Sequence, residues 1–185
     1  ENYNSNDIWT LALSHLGDVL ISNGFYYIHV NEESLLKSII NKNKLIIGDA
    51  IVEILILPNI DQISIEIAEK LKEIAISGIP IIFLNKIPDK QPGFLNYEEN
   101  DEKINDILKN LIETKKVYFL DKNHDLSTFL TENLRIKPGV IFDNSQPSIQ
   151  YIHKSTENSD YYFFRNSSNQ PRKVSIKFPH FNKIP

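Results

Sequence analysis

The residues best placed to do chemistry follow two short apolar runs, at residues 54–57 and 81–84. They are Asn59, Asp61, Asn85 and Lys86. If both runs are strands of one parallel sheet, these side chains lie at its carboxyl edge, where open α/β sheets bind ligands. The start of the helix after Asp61 would favour an anionic or hydroxyl-rich group. The sequence also allows a simpler interpretation, in which Asn59 and Asp61 cap that helix and Lys86 is a solvated loop residue.

The sequence shows none of the familiar motifs for nucleophilic, phosphate or metal chemistry. No glycine-rich loop accompanies the four candidates to cradle a phosphate. There is no cysteine, and no G-x-S-x-G elbow replaces a cysteine nucleophile, which argues against glutaminase activity. The histidines show no metal-ligand spacing; they are His15, His29, His124, His153 and His180. We therefore expect no bound metal and no cofactor.

Two clusters of carboxylates, at residues 32–33 and 98–102, raise the question of glycoside hydrolysis. A glycosidase needs two carboxyl groups that face each other across roughly 5–10 Å. Neighbours in sequence at the start of a helix do not meet that requirement, and they fit the favourable end of the helix dipole instead. The sequence therefore predicts no catalytic residue in this chain.

Aromatic residues form the remaining candidate site, at residues 161–164. Strand alternation places Tyr161 and Phe163 on one face and Tyr162 and Phe164 on the other. One face should belong to the core. The other is either a platform for sugar rings or the surface on which the rest of a β-sandwich packs.

The elements that must position these residues indicate an open parallel sheet. A helical pattern that ends at Gly78 lies between the two apolar runs, so residues 51–86 predict one strand–helix–strand crossover unit. Short runs that are apolar on both sides indicate strands covered on both faces. The pattern predicts an α/β fold: a flavodoxin-like open parallel sheet with flanking helices, followed by a short antiparallel β segment.

The neighbouring elements are assigned from caps and periodicity. Before the first run, the pattern predicts a helix over residues 7–22 that ends at Asn23-Gly24, followed by a strand over residues 25–30. It then predicts a short helix that is capped by Asn31 and carries Leu35, Leu36, Ile39 and Ile40. A hairpin is predicted from residue 45. After the second run, it predicts a helix capped by Asn100 or Asp101, a strand over 117–120 and a helix over 125–134.

From residue 140 the hydrophobic pattern changes to a period of two, which predicts three antiparallel strands. The third of these carries Val174, Ile176 and Phe178. We therefore divide the chain into an α/β flavodoxin-like domain at residues 1–139 and an antiparallel β segment at residues 140–185. That segment is the start of a β-sandwich or an extension packed on the α/β domain.

The composition argues against two classes of partner. The 185 residues are 41% hydrophobic and 24% charged, as in a soluble globular domain. A net charge of -4 provides no basic face for nucleic acid, and no apolar run is long enough to span a membrane. The chain has no methionine and begins ENYNSND without a signal-peptide pattern. We therefore expect a fragment of a longer protein, whose location its first residues do not reveal.

Three stretches of the chain resemble a known family. They are GDVLISNGFYYIHVNEESLLKS at residues 17–38, ILILPN at residues 54–59 and YIHKSTENSDYYFFRNSSNQPRKVSIKF at residues 151–178. They resemble the α/β domain, and the start of the following β-sandwich, of bacterial α-L-rhamnosidases of glycoside hydrolase family 106; related α/β domains are similar to class I glutamine amidotransferases. Such domains usually begin with a strand, which ENYNSND does not provide. None of the family's acidic motifs matches a position here.

The resemblance implies a non-catalytic structural fragment of a multidomain glycoside hydrolase, an α-L-rhamnosidase acting on plant or bacterial polysaccharide. The catalytic carboxylates would belong to a separate barrel domain upstream in the same parent chain. That barrel domain would be the main partner, carbohydrate would be a further one, and the parent would be periplasmic or secreted. Two alternatives stay open: a carbohydrate-binding accessory module and a stand-alone flavodoxin-like protein.

Overall fold

The computed structural model of the protein describes residues 15–121 and 125–179. These residues form two compact units: residues 29–121, called the middle unit, and residues 15–28 with 125–179, called the terminal unit. Compactness does not decide which residues fold independently, so the predicted domain division between residues 139 and 140 stays a prediction. None of the described helices is long and apolar enough to cross a membrane.

The terminal unit begins with helix α1, whose described part covers residues 15–22. The helix ends at Asn23-Gly24, as predicted. The N–H of Gly24 donates to the carbonyl of Ile21, and the N–H of Phe25 donates to the carbonyl of Leu20, both at 2.9 Å. This pair of bonds needs a left-handed residue after the helix, and Gly24 supplies it with a φ of 80°.

Residues 25–30 form no strand, contrary to the prediction. Phe25 is buried and Tyr26 is half exposed, so the segment begins with the alternation of a strand. The missing feature is a partner, because no described strand pairs with these residues. Ladder hydrogen bonds to a neighbour define a strand, and local composition does not supply them.

Helix α2 (Glu32–Leu36) is shorter than predicted. Its start is as predicted, since the Asn31 side chain accepts a hydrogen bond from the N–H of Ser34 at 2.9 Å. The isoleucines assigned to its end instead form strand β1 (Ile39–Asn41). Their β-branched side chains suit a strand, and the two residues that follow have positive φ and turn the chain back beside them.

An antiparallel sheet of three strands follows. Strand β1 pairs with β2 (Lys44–Ile47), and β2 pairs with β3 (Ala50–Val52). The pairing of β2 with β3 confirms the predicted hairpin, and β1 adds a third strand to it. Leu45 and Ile47 of β2 are buried and belong to the core of the middle unit.

Three parallel strands form the centre of the middle unit. They are β4 (Leu55–Pro58), β5 (Ile81–Leu84) and β6 (Val117–Leu120), and they lie in this order in the sheet. Helix α3 (Ile65–Ile76) joins β4 to β5, and helix α4 (Tyr97–Ile112) joins β5 to β6. A parallel sheet with helices in its connections is therefore confirmed.

The core of the middle unit is built around β5 and α3. Ile67, Leu71 and Ile74 of α3 recur at helical spacing and are buried. The central strand is covered on both faces, as predicted; its fully buried residues are Ile81, Ile82 and Phe83. Leu55 and Ile56 are only partly buried, because β4 is an edge strand of the described sheet.

Helix α4 begins earlier than predicted. It starts at Tyr97 after Asn96, which has a φ of 52° and makes no capping bond with its side chain. Neither Asn100 nor Asp101 is the cap. The Asp101 carboxylate instead accepts a hydrogen bond from the N–H of Gln91 at 2.7 Å, which ties the preceding loop to the helix.

The rest of the terminal unit contains a short helix and four strands. They are α5 (Leu126–Thr128), which continues as a π-helix (Phe129–Asn133), β7 (Ile141–Phe142), β8 (Ile149–Ser155), β9 (Asp160–Asn166) and β10 (Ile176–Lys177). Strands β8 and β9 form an antiparallel hairpin, but β10 pairs with β7. The predicted sheet of three consecutive strands is therefore wrong. Alternation marks a strand but does not select its partner.

Candidate functional site

The four candidate residues lie at or just after the carboxyl ends of β4 and β5. The N–H of Asn59 donates to the carbonyl of Leu84 at 2.9 Å, and the N–H of Asn85 donates to the carbonyl of Leu120 at 2.8 Å. Both asparagines have positive φ, which this residue type tolerates better than most. They therefore extend the sheet by one hydrogen bond each and then turn the chain away from it.

Asp61 and Lys86 form an ion pair at this edge. The Lys86 ammonium lies 2.6 Å from the Asp61 carboxylate and 3.8 Å from the Asp89 carboxylate. The hydrogen bond with Asp61 raises the pKa of Lys86 above its ordinary value. Lys86 is therefore paired rather than only solvated, and Asp89 is a third charged group that the sequence did not single out.

The backbone holds the two loops of this edge side by side. The N–H of Asp89 donates to the carbonyl of Asp61 at 3.3 Å, and the N–H of Ile63 donates to the carbonyl of Lys90 at 2.9 Å. These bonds place Asp89 beside the pair. Sequence reasoning missed it because residues 87–97 have no hydrophobic periodicity from which a position could be assigned.

Helix α3 has its own cap. Ser64 is the N-cap, and its hydroxyl accepts a hydrogen bond from the N–H of Ile67 at 3.3 Å. The interpretation of Asn59 and Asp61 as caps of this helix is therefore wrong. That these residues, with Asn85 and Lys86, bind a ligand stays a prediction.

The chemistry open to this edge is limited by its charges. Asp61 and Asp89 are 68% and 50% exposed and share one ammonium. The arrangement therefore suits a structural role, in which two carboxylates fix a lysine between two loops.

The acidic clusters at the helix starts form local pairs. Glu33 pairs with Lys37, and Glu99 pairs with Lys103 at 2.6 Å, each one helical turn along. The hydrogen bond from Lys103 lowers the pKa of Glu99. This agrees with the expectation that these carboxylates belong to solvated helix faces.

Three of the five histidines lie in the described part of the chain. His15 and His29 are exposed, and His124 and His180 lie outside the described residues. His153 lies within 3.0 Å of the Asp160 carboxylate and stacks on Tyr162, with 4.3 Å between ring centroids. No group of residues that could hold a metal occurs in the described part of the chain.

The β8–β9 hairpin has one packed face and one open face, as alternation predicted. Tyr151, Tyr162 and Phe164 stack on the packed face, and Phe178 covers Tyr162. The buried Tyr151 hydroxyl donates to the carbonyl of Gly24 at 2.7 Å. Burial raises the pKa of Tyr151 above its ordinary value.

Comparisons with known proteins point to one class of enzyme. The family model described as alpha-L-rhamnosidase, Glyco_hydro_106, matches residues 2–185. A protein of Formosa agariphila named "Putative beta-glucuronidase" is 28% identical over 139 residues, which cover 72% of this chain. The chain matches 11% of the length of that relative. No solved structure matches the chain.

Proposed function

Because the chain belongs to the α-L-rhamnosidase family, glycoside hydrolase family 106, we propose that it is a non-catalytic structural part of a larger glycoside hydrolase. The observation that carries this proposal is the pairing of the two carboxylates at the sheet edge with one lysine. Asp61 and Asp89 are exposed around the Lys86 ammonium. A glycosidase requires two carboxyl groups that face each other across the scissile bond, whereas Asp61 and Asp89 both pair with one lysine.

The middle unit suits a bracing role. Its central strand, β5, is fully buried at Ile81, Ile82 and Phe83, and helices α3 and α4 contact each other. Three parallel strands joined by helices support the finer proposal of a flavodoxin-like, amidotransferase-like domain. The partner would be a catalytic barrel domain of the same protein, acting on plant or bacterial polysaccharide.

Hydrolysis assays of the purified chain test the proposal. The substrates are an aryl α-L-rhamnoside and, because of the relative's name, an aryl β-glucuronide. We expect no turnover above the rate of buffer alone. Turnover that Asp61→Asn or Asp89→Asn abolishes, in a protein that remains folded, would contradict the proposal.

A second candidate function is a carbohydrate-binding accessory module. The open face of the β8–β9 hairpin favours it, because Tyr161 and Phe163 are 52% and 63% exposed there. Exposed aromatic rings can stack on the apolar faces of sugar rings. Titration with rhamnose-containing oligosaccharides, followed by tyrosine fluorescence, would show a saturable change. The absence of any change at millimolar sugar would rule this function out.

A further inference from the structure

The open face of the β8–β9 hairpin is a six-residue surface, which we call the outer hairpin face. Its members are Gln150, Ile152 and Lys154 of β8 and Tyr161, Phe163 and Arg165 of β9. The strand register sets them in three cross-strand pairs: Gln150 with Arg165, Ile152 with Phe163, and Lys154 with Tyr161. Since alternate residues of a strand share a face, all six side chains point the same way.

The centre of this face is apolar and open. Ile152, Tyr161 and Phe163 have large hydrophobic side chains, and they are 51%, 52% and 63% exposed. On the opposite face of the same hairpin, Tyr151 is 3% exposed. The hairpin therefore leaves one row of large apolar side chains in water, and such adjoining groups mark binding surfaces.

The ends of the face are positively charged. Arg165 lies at one end and Lys154 at the other, four residues apart along the strand direction, which is about 14 Å at roughly 3.4 Å per residue. None of the six side chains is acidic. The nearest carboxylate on these two strands is that of Asp160, which belongs to the packed face and forms a hydrogen bond with His153. The face is therefore complementary to an extended ligand that carries negative charges.

We propose that the outer hairpin face binds an acidic polysaccharide, a chain that contains uronic acid residues. Tyr161 and Phe163 stack on sugar rings, and Lys154 and Arg165 pair with uronate carboxylates. This inference rests on the proposed role in a glycoside hydrolase, and it names the ligand of the accessory function. Aromatic rings beside cations also suit single-stranded nucleic acid, but the membership of the chain in a glycoside hydrolase family favours a carbohydrate ligand.

Binding to polygalacturonate and to the same polymer after carboxyl reduction tests the inference. Affinity electrophoresis of the whole chain at low ionic strength measures both. We expect the acidic polymer to bind at least about tenfold more tightly than the neutral one, and added salt to weaken it. Phe163→Ala should weaken binding about tenfold. Lys154→Gln with Arg165→Gln should remove the preference for the acidic polymer.

A matched control comes from another exposed aromatic side chain. Phe94 is 94% exposed and lies outside the hairpin, so Phe94→Ala should leave binding unchanged. Equal binding of both polymers, equal loss in the Phe94 and Phe163 variants, or binding of single-stranded DNA instead would overturn the inference. None of these results would alter the hydrolysis assay, so the failure of this inference is distinguishable from the failure of the proposed function.

Discussion

At the scale of single residues, Tyr151 is a phenol that is only 3% exposed and hydrogen-bonds a backbone carbonyl. Its hydroxyl donates to the carbonyl of Gly24, which also accepts the N–H of Val140. Gly24 itself cannot be replaced easily, since a Cβ there would lie 1.9 Å from the carbonyl oxygen of Val140. One phenol therefore closes the turn after α1 onto the hairpin of the terminal unit.

Replacing Tyr151 by Phe should lower the free energy of unfolding by about 1 kcal/mol at neutral pH, because a buried hydrogen bond is lost. Burial raises the pKa of Tyr151 in the folded state, so its stabilising effect is present below about pH 10 and is lost as the pH rises above that value. Urea unfolding at several alkaline pH values should show a shallower decline for Tyr151→Phe than for the unaltered chain. Tyr161→Phe, at an exposed hydroxyl, is the control.

At the scale of elements, the start of α3 distinguishes a residue that caps the helix from one that forms an ion pair in the loop before it. Ser64 caps the helix, whereas Asp61 pairs with Lys86 in the loop before it. Capping bonds satisfy an N–H that has no partner inside the helix, while exposed ion pairs contribute little to stability. The two residues should therefore differ in their effect on stability, although they lie three positions apart.

Ser64→Ala should cost about 1 kcal/mol of unfolding free energy, the usual loss at a serine cap. Asp61→Ala should cost less than about 0.5 kcal/mol, because the Asp61 side chain is 68% exposed and exposed ion pairs contribute little. Thermal unfolding of both variants, followed by circular dichroism, measures the difference. A larger effect at Asp61 would mean that this residue organises the helix start.

The central strand is the second element with a quantitative expectation. Ile82 is 0% exposed on β5, and its replacement by Ala should cost about 2–5 kcal/mol through lost contacts and a cavity. Ile76, at the end of α3, is 71% exposed and provides the matched control. Ile76→Ala should change stability by less than about 0.5 kcal/mol. Equal midpoints for the two variants in urea would disprove the two-sided burial of β5.

Local patterns in the sequence predicted the elements better than their pairing. The apolar runs of β4 and β5, the Asn31 cap and the stop at Gly24 each depend on a few neighbouring residues, and all are present. The pairing of β10 with β7 depends on residues far apart in the chain, which periodicity cannot identify. The same limit applies to the site: Asp61 and Lys86 were placed at one sheet edge, but Asp89 reaches them through an irregular loop.

At the scale of the whole molecule, the two compact units differ in how their strands are protected. In the middle unit, β5 has a hydrogen-bonded neighbour on each side. In the terminal unit, β8 and β9 form a two-stranded sheet with one open face. Sheets of two strands are marginal unless other elements cover them. The terminal unit should therefore open locally more often than the middle unit.

Native-state hydrogen exchange should show this difference. We expect the amides of residues 160–178 to exchange faster than those of residues 52–57 and 80–85. The comparison is made within one sample, so chain stability and solvent conditions are matched. Equal protection in both regions would mean that the hairpin is an integral part of one cooperative domain.

The central claim is that this chain supports a glycoside hydrolase without supplying its catalytic groups. The most direct measurement is the kcat/KM of the longer glycoside hydrolase that we propose this chain belongs to, carrying Asp61→Asn, Asp89→Asn or both, on an aryl α-L-rhamnoside, with folding checked by thermal unfolding. We expect values within about twofold of the unaltered enzyme, since neither carboxylate takes part in proton transfer. A loss of about 10² to 10⁴, the usual effect of removing a general acid or base, in a protein that unfolds at an unchanged temperature would contradict it.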